Sequence, residues 1–125
     1  MIIGSGIDLV EIQRIELAIE RYGQRFLNRV FTPGEQAYCQ RKRKAAESFA
    51  ARFAAKEAGA KALGTGIGYG VTWREIEVMR APSGRPSLRF HGRAAQIAAQ
   101  MNMRHAALSL THSNELASAQ VMLED

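Results

Sequence analysis

Glycines at positions 64, 66, 68 and 70 alternate with Thr65, Ile67 and Tyr69. Four glycines in seven residues lose too much backbone entropy to hold a regular helix, so this stretch must be a loop. It divides the chain into halves of different period. Before it, Ala45 to Leu63 is rich in Ala and free of Pro, which predicts one long helix stopped at Gly64. Beyond it, Trp73, Ile76 and Val78, flanked by Arg74, Glu75 and Glu77, predict a strand. Pro82-Ser83-Gly84-Arg85-Pro86 reads as a turn and Ser87-Leu88-Arg89-Phe90 as a second strand. A short helix is expected over about Arg93 to Met101 and a strand over Ala107 to His112. After a turn at Ser113-Asn114-Glu115, residues Ala117, Ala119, Val121 and Leu123 alternate on a last strand.

The first half is mostly helical. Ile2, Ile3, Ile7, Leu9 and Val10 form a partly β-branched apolar run that predicts a buried strand. Ile12, Ile15, Ile19 and Tyr22 then recur at helical spacing, with Arg14, Arg21 and Arg25 on or near the other side. An amphipathic helix with a basic outer face follows. Thr32-Pro33-Gly34-Glu35 is a helix start: a capping Thr, a Pro at the first helical position and Glu35 completing a capping box. That helix should stop near Arg41-Lys42-Arg43-Lys44. Helices early and strands late give an α+β class with a mainly antiparallel sheet. The length, 125 residues without repeat or linker, suits one domain over 1–125.

Composition narrows the function. Hydrophobic residues make up 46% of the chain, well above disordered composition. No apolar run approaches the ~20 residues that span a bilayer. The start, Met1-Ile2-Ile3-Gly4-Ser5-Gly6, has no positive n-region and does not read as a signal peptide. Cys39 stands alone and cannot form an internal disulfide, so a cytoplasmic location is the expectation. The net charge of +5 fits nucleic acid, an anionic membrane, a phosphorylated small molecule or an acidic protein as partner.

Two carboxylates stand out. Phe49, Phe53, Glu57, Ala60 and Lys61 share one helix face, and the aromatics predict that it points inward. A carboxylate there has to be paired or bind a metal. A salt bridge from Glu57 to Lys61, one turn on, satisfies the spacing equally well. Asp8 interrupts an apolar strand just before a helix and reads either as a cap or turn residue or as a second ligand. Together the two carboxylates would offer the hard oxygens that Mg²⁺ prefers. The glycine loop is a connector or a phosphate cradle, and matches no Walker or dinucleotide pattern. Arg41-Lys42-Arg43-Lys44 is a solvated surface or a contact for phosphates or nucleic acid. His112, between Thr111 and Ser113 at a strand end, reads as structural in isolation. Cys39, placed by spacing on a helix among polar neighbours, carries no motif and reads as inert.

These residues converge on a family. Gly6-Ile7-Asp8-Leu9-Val10-Glu11 resembles the N-terminal motif of the holo-acyl-carrier-protein synthases. Phe53-Ala54-Ala55-Lys56-Glu57-Ala58, continued by Lys61-Ala62-Leu63-Gly64-Thr65-Gly66, resembles their second motif. Trp73 with Ile76-Glu77-Val78, Gly84-Arg85-Pro86 and Ser109-Leu110-Thr111-His112-Ser113 look like later landmarks, so the likeness runs nearly end to end.

The resemblance implies the 4′-phosphopantetheinyl transferase fold and a homotrimer whose sheets meet at the three-fold axis, with active sites between subunits. It implies transfer of 4′-phosphopantetheine from coenzyme A to a serine of an apo acyl carrier protein, in support of fatty acid biosynthesis. Asp8 and Glu57 would hold Mg²⁺ against the pyrophosphate, and Lys61 would contact phosphate and assist the leaving group. Glu57 or a metal-bound water would accept the serine proton. Lys44, Arg52, Lys61, Gly64, Thr65, Gly66 and His112 would bind coenzyme A. Arg14, Arg21 and Arg25 would dock the acidic carrier protein through complementary charge. A nucleic-acid-binding module is the competing reading, resting on net charge and on Arg41–Lys44, and it leaves Asp8 and Glu57 without a role. An inert assembly subunit is a third, and intact Asp8, Glu57 and Lys61 argue against it.

Overall fold

The Ala-rich stretch predicted before the glycine loop is the helix around which the molecule is built. A computed structural model describes residues 1–125. In chain order the elements are β1 (Ile2–Glu11), α1 (Ile12–Tyr22), α2 (Gln24–Val30), α3 (Pro33–Gln40) and α4 (Ala45–Ala62). A 3₁₀ turn (Trp73–Glu75), β2 (Ile76–Arg80), β3 (Pro86–Phe90), α5 (Gly92–Gln100), β4 (His105–His112) and β5 (Leu116–Glu124) follow. Along α4, Phe49, Ala50, Ala51, Ala54, Ala55, Ala58, Ala60 and Ala62 are all buried. A helix covered on most of its sides belongs in a core. Its small side chains let strands approach closely. A Cβ on Gly6 of β1 would lie against the Ala58 carbonyl and 2.9 Å from the Ala62 nitrogen. Glycine is the residue that fits there.

All strand pairing is antiparallel, as expected, but it divides into two sheets: β1-β5-β4, and the hairpin β2-β3. The three-stranded sheet presents Gly6 and Val10 of β1 and Ala117, Ala119, Val121 and Leu123 of β5 to α4, and these are buried. The hairpin packs on another side of the helix, where Ile76 meets Gly59. Asp8 lies opposite Ala119 in the register and shares its face.

Several expectations need correcting. The first strand is not buried throughout: Ile7 and Leu9 are each 63% exposed, because alternation turns them away from α4 and nothing in the chain covers that face. Tyr22 is exposed rather than inward, and α1 ends at Gly23, whose φ is 57°. Arg25 therefore rides on α2 and not on the first helix. Trp73 belongs to the 3₁₀ turn, not to a strand, because Thr72 and Glu75 close a capping box there. The fourth strand starts at His105, two positions before Ala107. Cys39, among polar neighbours in the sequence, is fully buried, and desolvation pushes its thiol up to about 11. The predicted capping box of α3 does form: Glu35 N donates to Thr32 Oγ1 at 3.2 Å and Thr32 N to Glu35 Oε1 at 2.8 Å.

Candidate active site

Three of the residues singled out in the sequence come together where β1 lies on α4. Lys61 Nζ donates to Asp8 Oδ1 at 3.1 Å and to the Ile7 carbonyl at 2.9 Å. Ser118 Oγ on the neighbouring strand donates to the Asp8 carbonyl at 3.0 Å, which fixes the backbone under the carboxylate. Glu57 lies one turn before Lys61 and so projects from the same side of α4. Its Oε1 accepts the indole Nε1–H of Trp73 at 3.2 Å. The Glu57–Lys61 bridge that spacing allowed is not made; Lys61 is paired with Asp8 instead. Nor does the shared face point inward throughout. Phe49 is buried, Phe53 and Glu57 are half-buried and Lys61 is exposed, so the face rises from core to surface. Glu57 needs no buried counter-charge because it sits on that slope.

Asp8 Oδ2 and Glu57 Oε2 accept no hydrogen bond from the protein. Two carboxylates, one paired with Lys61 and the other a turn before it on α4, each with an oxygen that takes no hydrogen bond, fit a hard cation such as Mg²⁺, which takes one or two carboxylates and completes its shell with water and phosphate oxygens. No three His, Cys, Asp or Glu side chains cluster anywhere in the chain, so a tetrahedral zinc site has no ligand set.

The remaining predicted residues lie elsewhere. The N–H groups of Gly64, Thr65 and Gly66 are spent on closing α4: Gly64 donates to Lys61 at 2.9 Å, and Thr65 and Gly66 both donate to Ala60, at 3.2 and 3.1 Å. Gly64 and Gly66 adopt φ of 85° and 61° to do so. This first part of the loop therefore borders Lys61 with its N–H groups already used within the helix end. Lys44 and His112 meet at the other end of α4, each 3.9 Å from Glu47. The 18 residues of α4 span roughly 27 Å, so within one chain the Lys44–His112 pair and the Lys61–Gly66 segment sit at opposite ends. Arg52 is buried on a third side. Its Nη1 donates to the Ser48 carbonyl at 3.3 Å and its guanidinium lies 4.2 Å from the Tyr38 ring centre. Arg41, Arg52 and Arg80 line a cavity of about 220 Å³ beside Tyr38.

Sequence reasoning missed the buried ion pair. Lys56 Nζ and Glu35 Oε1 are 2.7 Å apart, both side chains fully buried. Lys56 Nζ also donates to the carbonyls of Trp73 and Ile76, at 3.1 and 2.8 Å, and Glu35 Oε2 accepts Val78 N at 2.7 Å. Desolvation pulls the Lys56 ammonium below its ordinary value, against the opposing pull of Glu35. The signal available in the sequence was a lysine inside an otherwise apolar stretch of helix, Ala54-Ala55-Lys56, hidden by the attention that Glu57 attracts.

Comparison with known proteins gives this geometry a family. Residues 4–119 match the model of the 4′-phosphopantetheinyl transferase superfamily. The holo-[acyl-carrier-protein] synthase of Koribacter versatilis is 56% identical over 125 residues, covering all of both chains. Among solved structures, the holo-[acyl-carrier-protein] synthase of Neisseria meningitidis superposes with a TM-score of 0.90 at 35% identity over the whole of both chains. That of Helicobacter pylori, in complex with coenzyme A, gives 0.85 at 32% identity, covering 96% of this chain and 99% of the other. Sequence likeness along the full length and a shared backbone agree: this chain belongs to the holo-[acyl-carrier-protein] synthase family of the 4′-phosphopantetheinyl transferase superfamily.

Proposed function

We propose that this chain transfers 4′-phosphopantetheine from coenzyme A to a serine hydroxyl of an apo acyl carrier protein, releasing adenosine 3′,5′-bisphosphate, and so supports fatty acid biosynthesis. The observation that carries the reading is the meeting of Asp8, Glu57 and Lys61 on one surface slope. The serine oxygen forms a bond to the phosphorus that bears pantetheine. The bond from that phosphorus to the bridging oxygen of the pyrophosphate breaks, and the serine proton leaves to a base.

Asp8 Oδ2 and Glu57 Oε2 are the oxygens free to hold Mg²⁺. When bound, the metal neutralises charge on the pyrophosphate oxygens. Glu57 is the proposed acceptor of the serine proton. Lys61 holds Asp8 through Oδ1 and the Ile7 carbonyl, and keeps its third N–H for a phosphate oxygen, where charge builds on the leaving group. Phosphoryl transfer rests mainly on positioning and electrostatics, and these three residues supply both.

Coenzyme A binding extends to Lys44, Arg52, Gly64, Thr65, Gly66 and His112. The separation of these residues along α4 supports a site shared between subunits, the Lys44–His112 end of one protomer facing the Lys61 end of the next. The uncovered sheet face around Ile7 and Leu9 supports a homotrimer closed through that face. The exposed Arg14, Arg21 and Arg25 form the docking strip for the acidic carrier. Residues 1–125 act as one domain. No helix is long and apolar enough to cross a membrane, which supports a cytoplasmic location.

The test is direct. Incubated with coenzyme A, Mg²⁺ and an apo carrier protein, the chain should add the mass of phosphopantetheine to the carrier. No mass gain with any of several carriers would overturn the reading.

A further inference from the structure

Trp73 is the chain's single tryptophan, and its indole reaches Glu57 from a different element. We propose that Trp73 is a positioning residue: its indole N–H fixes Glu57 Oε1 and turns Oε2 toward the metal and substrate. This rests on the reading of Glu57 as a Mg²⁺ ligand.

The ring is held on several sides. Phe53, one turn before Glu57 on α4, stacks on it at 6.2 Å with the planes 28° apart. The Arg29 guanidinium lies over the ring at 5.7 Å from its centre. The Trp73 carbonyl accepts Lys56 Nζ, and Lys56 is locked by Glu35 at 2.7 Å. The buried pair therefore ties the turn after the glycine loop to α4 at the residue next to Glu57. A glutamate has three side-chain torsions, and ordering them costs rotamer freedom. A donor already in place meets that cost before the metal arrives. Hydrogen bonds behind a metal ligand act in this way, and their loss typically lowers metal affinity or activity about 10- to 100-fold. The blander role for Trp73 is to cover Phe53 as a half-buried aromatic.

Trp73→Phe separates the two, because it keeps an aromatic ring beside Phe53 while removing the N–H together with part of the indole. We expect calorimetric titration of Mg²⁺ into protein saturated with coenzyme A to show about 10-fold weaker binding. The Mg²⁺ concentration for half-maximal turnover should rise by the same factor, with KM for the carrier and the melting temperature unchanged. A Mg²⁺ titration indistinguishable from wild type overturns the proposal, as does a loss confined to melting temperature. Glu57→Gln in the same calorimetry distinguishes the two levels. If it leaves Mg²⁺ binding intact, the metal reading itself falls; if it weakens binding while Trp73→Phe does not, only the positioning role falls. Should Trp73→Phe fail to fold, the wild-type protein still answers. Its tryptophan emission should change on adding Mg²⁺, with the calorimetric midpoint, and a flat emission overturns the proposal.

Discussion

Asp8 and Glu57 are partnered only on one oxygen each, by Lys61 and by Trp73. Replacing either by Ala removes about one hydrogen bond's worth of stability, ~1 kcal/mol, and one of the two proposed metal ligands. Both variants should therefore stay folded while transfer nearly stops and the Mg²⁺ dependence weakens, measured by carrier mass gain across a Mg²⁺ series. Two lysines five positions apart should behave in opposite ways. Lys61 is half-exposed, so its pair with Asp8 is worth about 1 kcal/mol or less. Lys61→Ala should melt near wild type yet slow turnover more than it weakens coenzyme A binding, because its charge matters most in the transition state. Unchanged turnover with poorer coenzyme A affinity would reduce Lys61 to a substrate contact. Lys56 is fully buried, and Lys56→Ala strands the Glu35 carboxylate in the core. A loss of about 3–5 kcal/mol is expected in urea denaturation.

At the scale of elements, the site depends on how closely β1 approaches α4. Gly6 makes that approach possible, and the atoms a Cβ would strike are backbone, which cannot rotate aside. Gly6→Ala should push the strand away and carry Asp8 with it. We expect a loss of about 1–3 kcal/mol in the urea transition together with a fall in turnover. Helix α1 presents Arg14 and Arg21 outward while Ile12 and Ile15 are buried beneath. Surface charges are individually weak but act together on encounter rate and salt dependence. Arg14→Glu combined with Arg21→Glu should raise KM for the carrier, leave KM for coenzyme A almost unchanged and flatten or invert the inhibition by added salt. Equal effects on both substrates, or none, would remove docking from this helix.

The whole molecule leaves one sheet face open. Ile7 and Leu9 project from it, joined by the exposed Leu116 of the adjacent strand. Apolar side chains grouped on an uncovered sheet mark an interaction surface. Ile7→Glu with Leu9→Glu should abolish the proposed trimer and leave monomers in sedimentation equilibrium. Because the residues proposed to bind coenzyme A sit at both ends of a helix roughly 27 Å long, those monomers should also lose activity. A variant that remains trimeric, or that is monomeric and fully active, would show that this face does not complete the site.

What the sequence determined by itself lies in short-range pattern. The Ala-rich run defined α4, Thr32 to Glu35 defined a capped helix start, and alternation on Ala117 to Leu123 defined the last strand and its buried side. Each depends on neighbours within a turn or a pleat, so spacing alone encodes it. The motifs around Asp8 and Glu57 were legible only as a family resemblance, because spacing alone left a cap or turn role for Asp8 and a salt bridge for Glu57 equally open. Tertiary structure decided the partners. Lys61 had a candidate four residues away and took Asp8, 53 positions distant, because β1 runs past the exposed end of the helix face. Glu35 served its local cap and also met Lys56 and Val78. The apolar run of β1 could not reveal that only one of its faces would be covered within the chain. That depended on α4 filling one side of the sheet and on nothing in the same chain reaching the other.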